Sequence, residues 1–303
     1  MTRGRDASHP PAAQLRPRRR TAGRFVVTFF ALSAACAAPA APAAHSFSPS
    51  GQSVPTPLQR EVETQRARLS SADAEERRDA VTRLGAMARP EGSRAAAAAL
   101  GDTAAAVRAA AVRAVLALPP GEAATLVLPL LSDRDEFVRR EAAYALGLAR
   151  SAVGVAGLAA ALEADREAAV RGAAAVALGQ IGDPAAAPFL AGSLARRLPP
   201  RVGRERPRRR RVEQDEFVRR AAAVSLGQLR SREAVPVLIE TLSDERAPDD
   251  VRREAARALG LIGDAAAVPA LRAALTARDP YLARIALEAV RALEQPAPRP
   301  GGR

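Results

Sequence analysis

The chain has 303 residues, 48% hydrophobic and 26% charged, and its apolar share is mostly alanine with aromatics at only 3%, which favours thin layers of closely spaced helices over one thick core. The formal net charge of +13 sits in two places, seven Arg with one Asp in residues 1–24 and nine Arg with two Glu in residues 196–213, so the remainder is neutral and no basic face runs along the whole protein. A single cysteine, Cys36, and two histidines, His9 and His45, exclude an intrachain disulfide, a Cys-based metal site, and any imidazole-dependent metal or catalytic centre in the body of the chain.

The N-terminal segment reads as an export signal. The basic stretch RPRRRTAGR (residues 16–24) precedes the uncharged run FVVTFFALSAACAA (residues 25–38), whose length suits a signal-peptide core and falls short of a helix crossing roughly 30 Å of hydrocarbon. Small-residue cleavage sites follow around Ala41-Pro42-Ala43. The stretch LSAAC (residues 32–36) also resembles a bacterial lipoprotein signal, which would make Cys36 the lipid-bearing residue; Ser33 stands where that family usually has Leu. Residues 1–45 are therefore expected to be an export segment, lipid-anchored or released, and residues 46–55 a linker of small and polar residues.

A repeat occupies residues 56–294. VRREAAYALG (138–147) returns as VRGAAAVALG (170–179), VRRAAAVSLG (218–227) and VRREAARALG (251–260), with weaker copies elsewhere. The first residue of this marker falls at 76, 107, 138, 170, 218, 251 and 282, so the period is 31 to 33 residues apart from one interval of 48. Such a period signals a solenoid, in which each unit buries its faces only against its neighbours.

Each unit reads as two helices. Val251, Ala255, Ala258, Leu259 and Ile262 form one helical stripe, Gly263 supplies a residue for the left-handed turn that ends it, and Val268, Leu271 and Leu275 begin a second stripe. Pro188, Pro236 and Pro269 fall where second helices start, and acids three residues before the marker (Asp73, Asp135, Glu167, Asp215, Asp279) suit N-terminal caps. The expected fold is all-α, an α-solenoid of about seven two-helix repeats, followed by a short tail at residues 295–303.

These units, with their VRxxAAxALGxIGD pattern, resemble HEAT repeats of the short bacterial type associated with phycobilin lyases. The resemblance implies that second helices line a concave face and that repeated Asp and Arg residues tie neighbouring units, with Arg108, Arg139, Arg171, Arg219 and Arg252 as the ladder arginines. The long interval holds an insertion, residues 196–213, between the two helices of one unit. Arg204, Arg206, Arg208, Arg209, Arg210 and Arg211 within it are candidate contacts for an acidic protein or an anionic lipid headgroup, set against the simpler reading of a solvated loop.

No catalytic constellation or cofactor motif emerges, because the adjacent carboxylates such as Asp135-Glu136 suit helix starts and no phosphate-loop spacing occurs. The function expected is a non-enzymatic, extracytoplasmic adaptor that binds a protein partner on its concave face. Two alternatives rest on resemblance: a lyase- or chaperone-like accessory protein, and a nucleic-acid-binding HEAT protein. Export would disfavour the second.

Overall fold

The computed structural model describes residues 54–196 and 216–294. The export segment with Cys36, the six candidate arginines of the insertion and the C-terminal tail lie outside these residues.

All regular structure in the described residues is helical. In chain order the α-helices are α1 (Pro57–Arg68), α2 (Ala74–Ala86), α3 (Pro90–Ala96), α4 (Ala105–Ala114), α5 (Pro120–Val127), α6 (Glu136–Ala149) and α7 (Val155–Ala164), then α8 (Ala168–Ile181), α9 (Ala187–Ala195), α10 (Glu216–Leu229), α11 (Val235–Ser243), α12 (Asp249–Ile262), α13 (Val268–Ala273) and α14 (Pro280–Glu294). The even-numbered members carry the repeated marker and pack side by side in sequence order as one layer; α3, α5, α7, α9, α11 and α13 form the other. Helix α1 precedes the first marker helix, and α14 ends the described stack as a marker helix without a second.

Local chemistry fixes where each helix begins. Thr56 and Gln59 form a reciprocal capping box at α1, and Asp73 and Asp135 accept backbone N–H bonds at α2 and α6. Glu167 occupies the equivalent cap position of α8 without a side-chain capping bond. Pro188, Pro236 and Pro269 stand in the first turn of α9, α11 and α13, where a missing N–H costs nothing.

The marker helices stop at one shared position, twelve residues after the marker begins. Gly182 and Gly263 take it with φ of 77° and 79°, while Ala88, Arg150 and Arg230 adopt the same left-handed backbone with a Cβ. Helix α4 departs from this pattern and runs only ten residues before a 3-10 turn at Val115–Ala117 and the Pro119-Pro120 pair.

The core is leucine set in alanine. Leu84, Leu146, Leu178, Leu226 and Leu259 recur at one marker position and are fully buried, opposite i,i+4 pairs on the second helices such as Leu158–Leu162, Leu190–Leu194 and Leu238–Leu242. Each such side chain stabilises the fold by about 2 kcal/mol. In chain order the insertion falls between the second helix α9 and the marker helix α10, so it separates two units where the sequence pattern had placed it within one, and the apolar interior is continuous from Ala109 to Val290 across that junction. Across that junction Ser225 Oγ donates to the Ala175 carbonyl at 2.8 Å, and the Phe217 ring lies directly against Gly172. A smaller cluster joins the first two units, with Val107, Ala110, Ala111 and Ala114 of α4 facing it and Ala109, Val112 and Val115 facing the main core.

Marker helices meet through their backbones. The glycine of the Leu-Gly pair in each of these marker helices faces a small residue of the next marker helix: a Cβ on Gly147 would fall 2.8 Å from Ala177 Cα, one on Gly227 2.9 Å from Ala258 Cα, and one on Gly179 2.7 Å from Ser225 Cβ. Gly85 and Gly260 meet Ala114 and Ala289 in the same way. In the other layer Gly157 faces leucine side chains of the preceding second-helix segment, Leu128 and Leu131, and a cavity of about 390 Å3 opens there.

A candidate interaction face on the marker helices

The buried arginines build a continuous tie between units. Arg108 lies in α4, and its Nε and Nη2 donate to both carboxylate oxygens of Asp133 at 2.7 Å, in the connection leading into α6. Its Nη1 donates backwards, to the carbonyls of Asp102 at 2.8 Å and Thr103 at 3.1 Å. Arg139 repeats the arrangement, with Asp165 ahead at 2.7 Å and 3.2 Å and the Asp133 carbonyl behind at 2.9 Å. Each aspartate thus receives one arginine on its side chain and the next on its carbonyl, while also accepting a backbone N–H two residues on. Such bidentate, charge-assisted bonds need a planar guanidinium, which lysine cannot supply.

Of the other three arginines singled out by the repeat, Arg171 keeps the same backward bonds, and Arg219 and Arg252 bond carbonyls in other places. Arg171 donates to the Asp165 and Arg166 carbonyls at 2.9 Å and 3.2 Å. Arg219 donates Nε to the Leu194 carbonyl at 3.1 Å. Arg252 bonds the Leu242 carbonyl at 3.1 Å and lies 3.6 Å from Asp249, and the tie to the last unit is made by Arg253 on Asp279 at 2.6 Å. The shift has a local cause: Ala277 stands where the ladder aspartate would be, so the nearest carboxylate is the cap residue Asp279, two residues on, and the adjacent arginine reaches it. Arg77 on Asp102, at 2.7 Å, is a further tie. The aspartates five residues before the marker (Asp102, Asp133, Asp165) and the marker glycines were the readable signals for this packing.

Charge follows geometry. The bonds from Arg77 hold the Asp102 carboxyl below the usual carboxylate range, against a burial that would raise it. At Asp133 burial pushes upward most strongly, but the bonds from Arg108 and the Asp135 N–H together outweigh it and the carboxyl also lies low. Arg253 holds Asp279 low in the same manner. These groups are committed to holding units together, and among the described residues no cluster of three or more His, Cys, Asp or Glu stands in metal-binding proximity.

What the marker layer presents to solvent is the stripe opposite its buried leucines. Phe137, Phe217 and Tyr281 occupy the position before the marker and are 40%, 39% and 59% exposed, so packing accounts for only part of each ring. Arg140 lies over Phe137 at 5.1 Å, Arg220 over Phe217 at 5.8 Å, and Arg253 over Tyr281 at 5.2 Å, all within cation–π range. Farther along the stripe, α8 and α10 carry Val176 and Gln180, Val224 and Gln228; Tyr144 and Leu148 flank them on α6, and Leu261 on α12. The middle of the layer is therefore nearly uncharged, between charged outer helices. No helix of the described residues is long and apolar enough to cross a membrane.

Comparison with known proteins agrees with this architecture. The family model for HEAT repeats matches residues 62–147, 124–205 and 209–293. Among solved structures, the Escherichia coli protein YibA is 19% identical with a TM-score of 0.53, over 78% of this chain and 82% of its own. An engineered protein is 22% identical with a TM-score of 0.50, over 78% and 69%. The complex of CpcE and CpcF of phycocyanin lyase from Nostoc is 23% identical with a TM-score of 0.44, over 83% and 100%. None of the curated proteins matches the chain. With its marker helices stacked in register and the family model spanning most of its length, the chain belongs to the HEAT-repeat family.

Proposed function

We propose that this chain is an exported, non-enzymatic scaffold that binds a protein partner on the exposed face of its marker helices. The observation that carries the reading is the nearly uncharged strip across α6, α8 and α10, set on a layer whose buried titratable groups are consumed by ties between units. An extended surface of repeated helices is the kind of platform on which protein recognition is built. Curvature favours the same layer. The marker glycines bring backbone against backbone, whereas Gly157 of the other layer meets leucine side chains, and a stack bends toward its tighter side. The concave face is thus assigned to the marker helices, in place of the second helices that the family resemblance had implied.

Export rests on the basic-then-apolar N-terminal segment, and Cys36 would anchor the chain if the lipoprotein cleavage operates. The arginines at 204, 206 and 208–211 would add electrostatic hold on an acidic partner or an anionic headgroup. The chain contains no lysine, so amine-directed cross-linking is blind to it. Photo-cross-linking amino acids placed at Val176 on the marker face and at Glu240 on the second layer are the suitable probe in the native host. Trapping of one specific protein from the Val176 position alone supports the reading; trapping from Glu240 alone, or turnover of a substrate by the purified chain, would sink it. The intact mass of the chain in each cell fraction tests export, since an uncleaved cytosolic chain contradicts it.

A further inference from the structure

The uncharged strip has a specific polarity that points to its occupant. Gln180 of α8 and Gln228 of α10 sit one unit apart at the same marker position, each folded over the glycine of the preceding marker helix. Neither carboxamide makes a side-chain hydrogen bond among the described residues, and Gln180 Oε1 is buried without a partner. Gln65, by contrast, is fully engaged with Glu61 and Arg68. A carboxamide offers one acceptor and a two-proton donor, the complement of a peptide unit, and a helical partner would already have satisfied its own backbone. Turning Gln180 outward gives up no existing bond.

The opposite edge of the strip carries two loosely held arginines, Arg140 and Arg220. Glu141 is answered by Arg113 at 3.5 Å, which leaves Arg140 with only its aromatic contact among the described residues, and Arg220 lies at a loose 3.8 Å from Asp250. The chain enters α10, four residues before Arg220, from the segment 196–213 with its nine Arg and two Glu. Arg220 and Gln228 are eight residues apart, about 12 Å along the helix, which is a width that an extended chain fills with its side chains pointing alternately to the two edges. Arg140 and Arg220 lie on marker helices two steps apart, or about 16–20 Å at usual helix spacing. An extended peptide covers that span in about five or six residues.

Resting on the scaffold reading, the geometry points to an extended acidic peptide as the partner element. Its backbone runs across α6, α8 and α10 over Tyr144, Val176 and Val224, with its amides on Gln180 and Gln228. Two carboxylates five or six residues apart reach Arg140 and Arg220.

The test pans random twelve-residue peptides displayed on phage against the full chain and remeasures enriched sequences as synthetic peptides by fluorescence polarisation. Enriched sequences should carry two acids at that spacing. Arg140→Glu with Arg220→Glu should raise Kd by about tenfold or more, and Gln180→Ala with Gln228→Ala by about threefold to tenfold. A charge-matched pair on other exposed arginines, Arg83→Glu with Arg232→Glu, should leave Kd unchanged. Enrichment without spaced acids, equal loss from both charge-reversed pairs, or bound peptides that turn helical by circular dichroism would each overturn the assignment. A partner trapped at Val176 whose binding ignores Arg140 and Arg220 removes the acidic peptide and retains the scaffold. No partner trapped from either layer removes both.

Discussion

The first three units and the last two solve the same problem with different residues. In the first three, an arginine one position into the marker reaches an aspartate 25 or 26 residues ahead, and both side chains are 6–12% exposed. At the last junction the arginine moves one position on, the carboxylate moves two, and Arg253 is 27% exposed. The contrast teaches that a charged tie can cross a unit boundary in more than one register, with the connecting loop deciding which. A junction with Ala277 at the ladder position recruits the helix cap instead.

The sharpest way to break the comparison is to remove one arginine from each half. Arg139→Met leaves the Asp165 carboxylate buried with only its backbone bond, and loss of one partner from a buried pair costs about 3–5 kcal/mol. Arg253→Met should cost much less, because Asp279 keeps the N–H bonds of Tyr281 and Leu282 and the lost group was already partly solvated. Urea midpoints of the two variants measure the difference; equal losses would mean that the displaced tie is as demanding as the ladder. Adding Asp165→Leu to Arg139→Met should recover part of the loss, since the stranded charge is then gone.

Packing at the marker glycines gives the next largest effect. Gly227→Val places branched atoms where even a Cβ would meet Ala258 Cα at 2.9 Å, so the helices must separate, at a cost of about 1–3 kcal/mol. Gly192 of α9 is a helical glycine with open space around it, and Gly192→Ala should stabilise by about 0.5–1 kcal/mol through helix propensity. Opposite signs in thermal unfolding would establish that the tight approach belongs to the marker layer.

Acid should act on both halves. The folded carboxyls of Asp102, Asp133 and Asp279 lie below their unfolded values, so their stabilisation is fully present above about pH 4 and is lost as pH falls through the folded values. Stability should therefore stay level from pH 7 to 5 and drop below pH 4. Asp133→Asn should lower the plateau and shallow the drop, which urea titrations at stepped pH would read.

Much of this architecture was legible because solenoid contacts are local and recur with the sequence period. The marker positions at 138, 170, 218 and 251 gave the helices, the prolines their starts, and Gly182 and Gly263 their ends. Less was legible where a residue serves two purposes. Asp279 looks like a cap and is also a tie, and the Leu-Gly glycines of the marker look like helix punctuation but lie inside helices as points of close approach. Which layer faces inward depends on comparing the closeness of two layers, and a one-dimensional pattern of apolar residues does not carry that distance. The unpaired state of Gln180 and Gln228 is likewise a property of their surroundings.

The helix ends offer the smallest effect and a second way to compare units. Arg150 and Arg230 hold the left-handed backbone at φ 50°, where Gly182 and Gly263 stand in the equivalent places. A side chain in that region costs about 1–2 kcal/mol, and the greater freedom of glycine in the unfolded chain takes back part of any gain. Arg150→Gly and Arg230→Gly should each stabilise by a net of about 0.5 kcal/mol, raising the urea midpoint slightly, while Gly182→Ala should lower it by about 1 kcal/mol. Both arginines are exposed and make no side-chain bond among the described residues, so the substitutions remove no contact that could mask the backbone effect. A loss at either arginine would mean that these units are ended by something other than the turn itself.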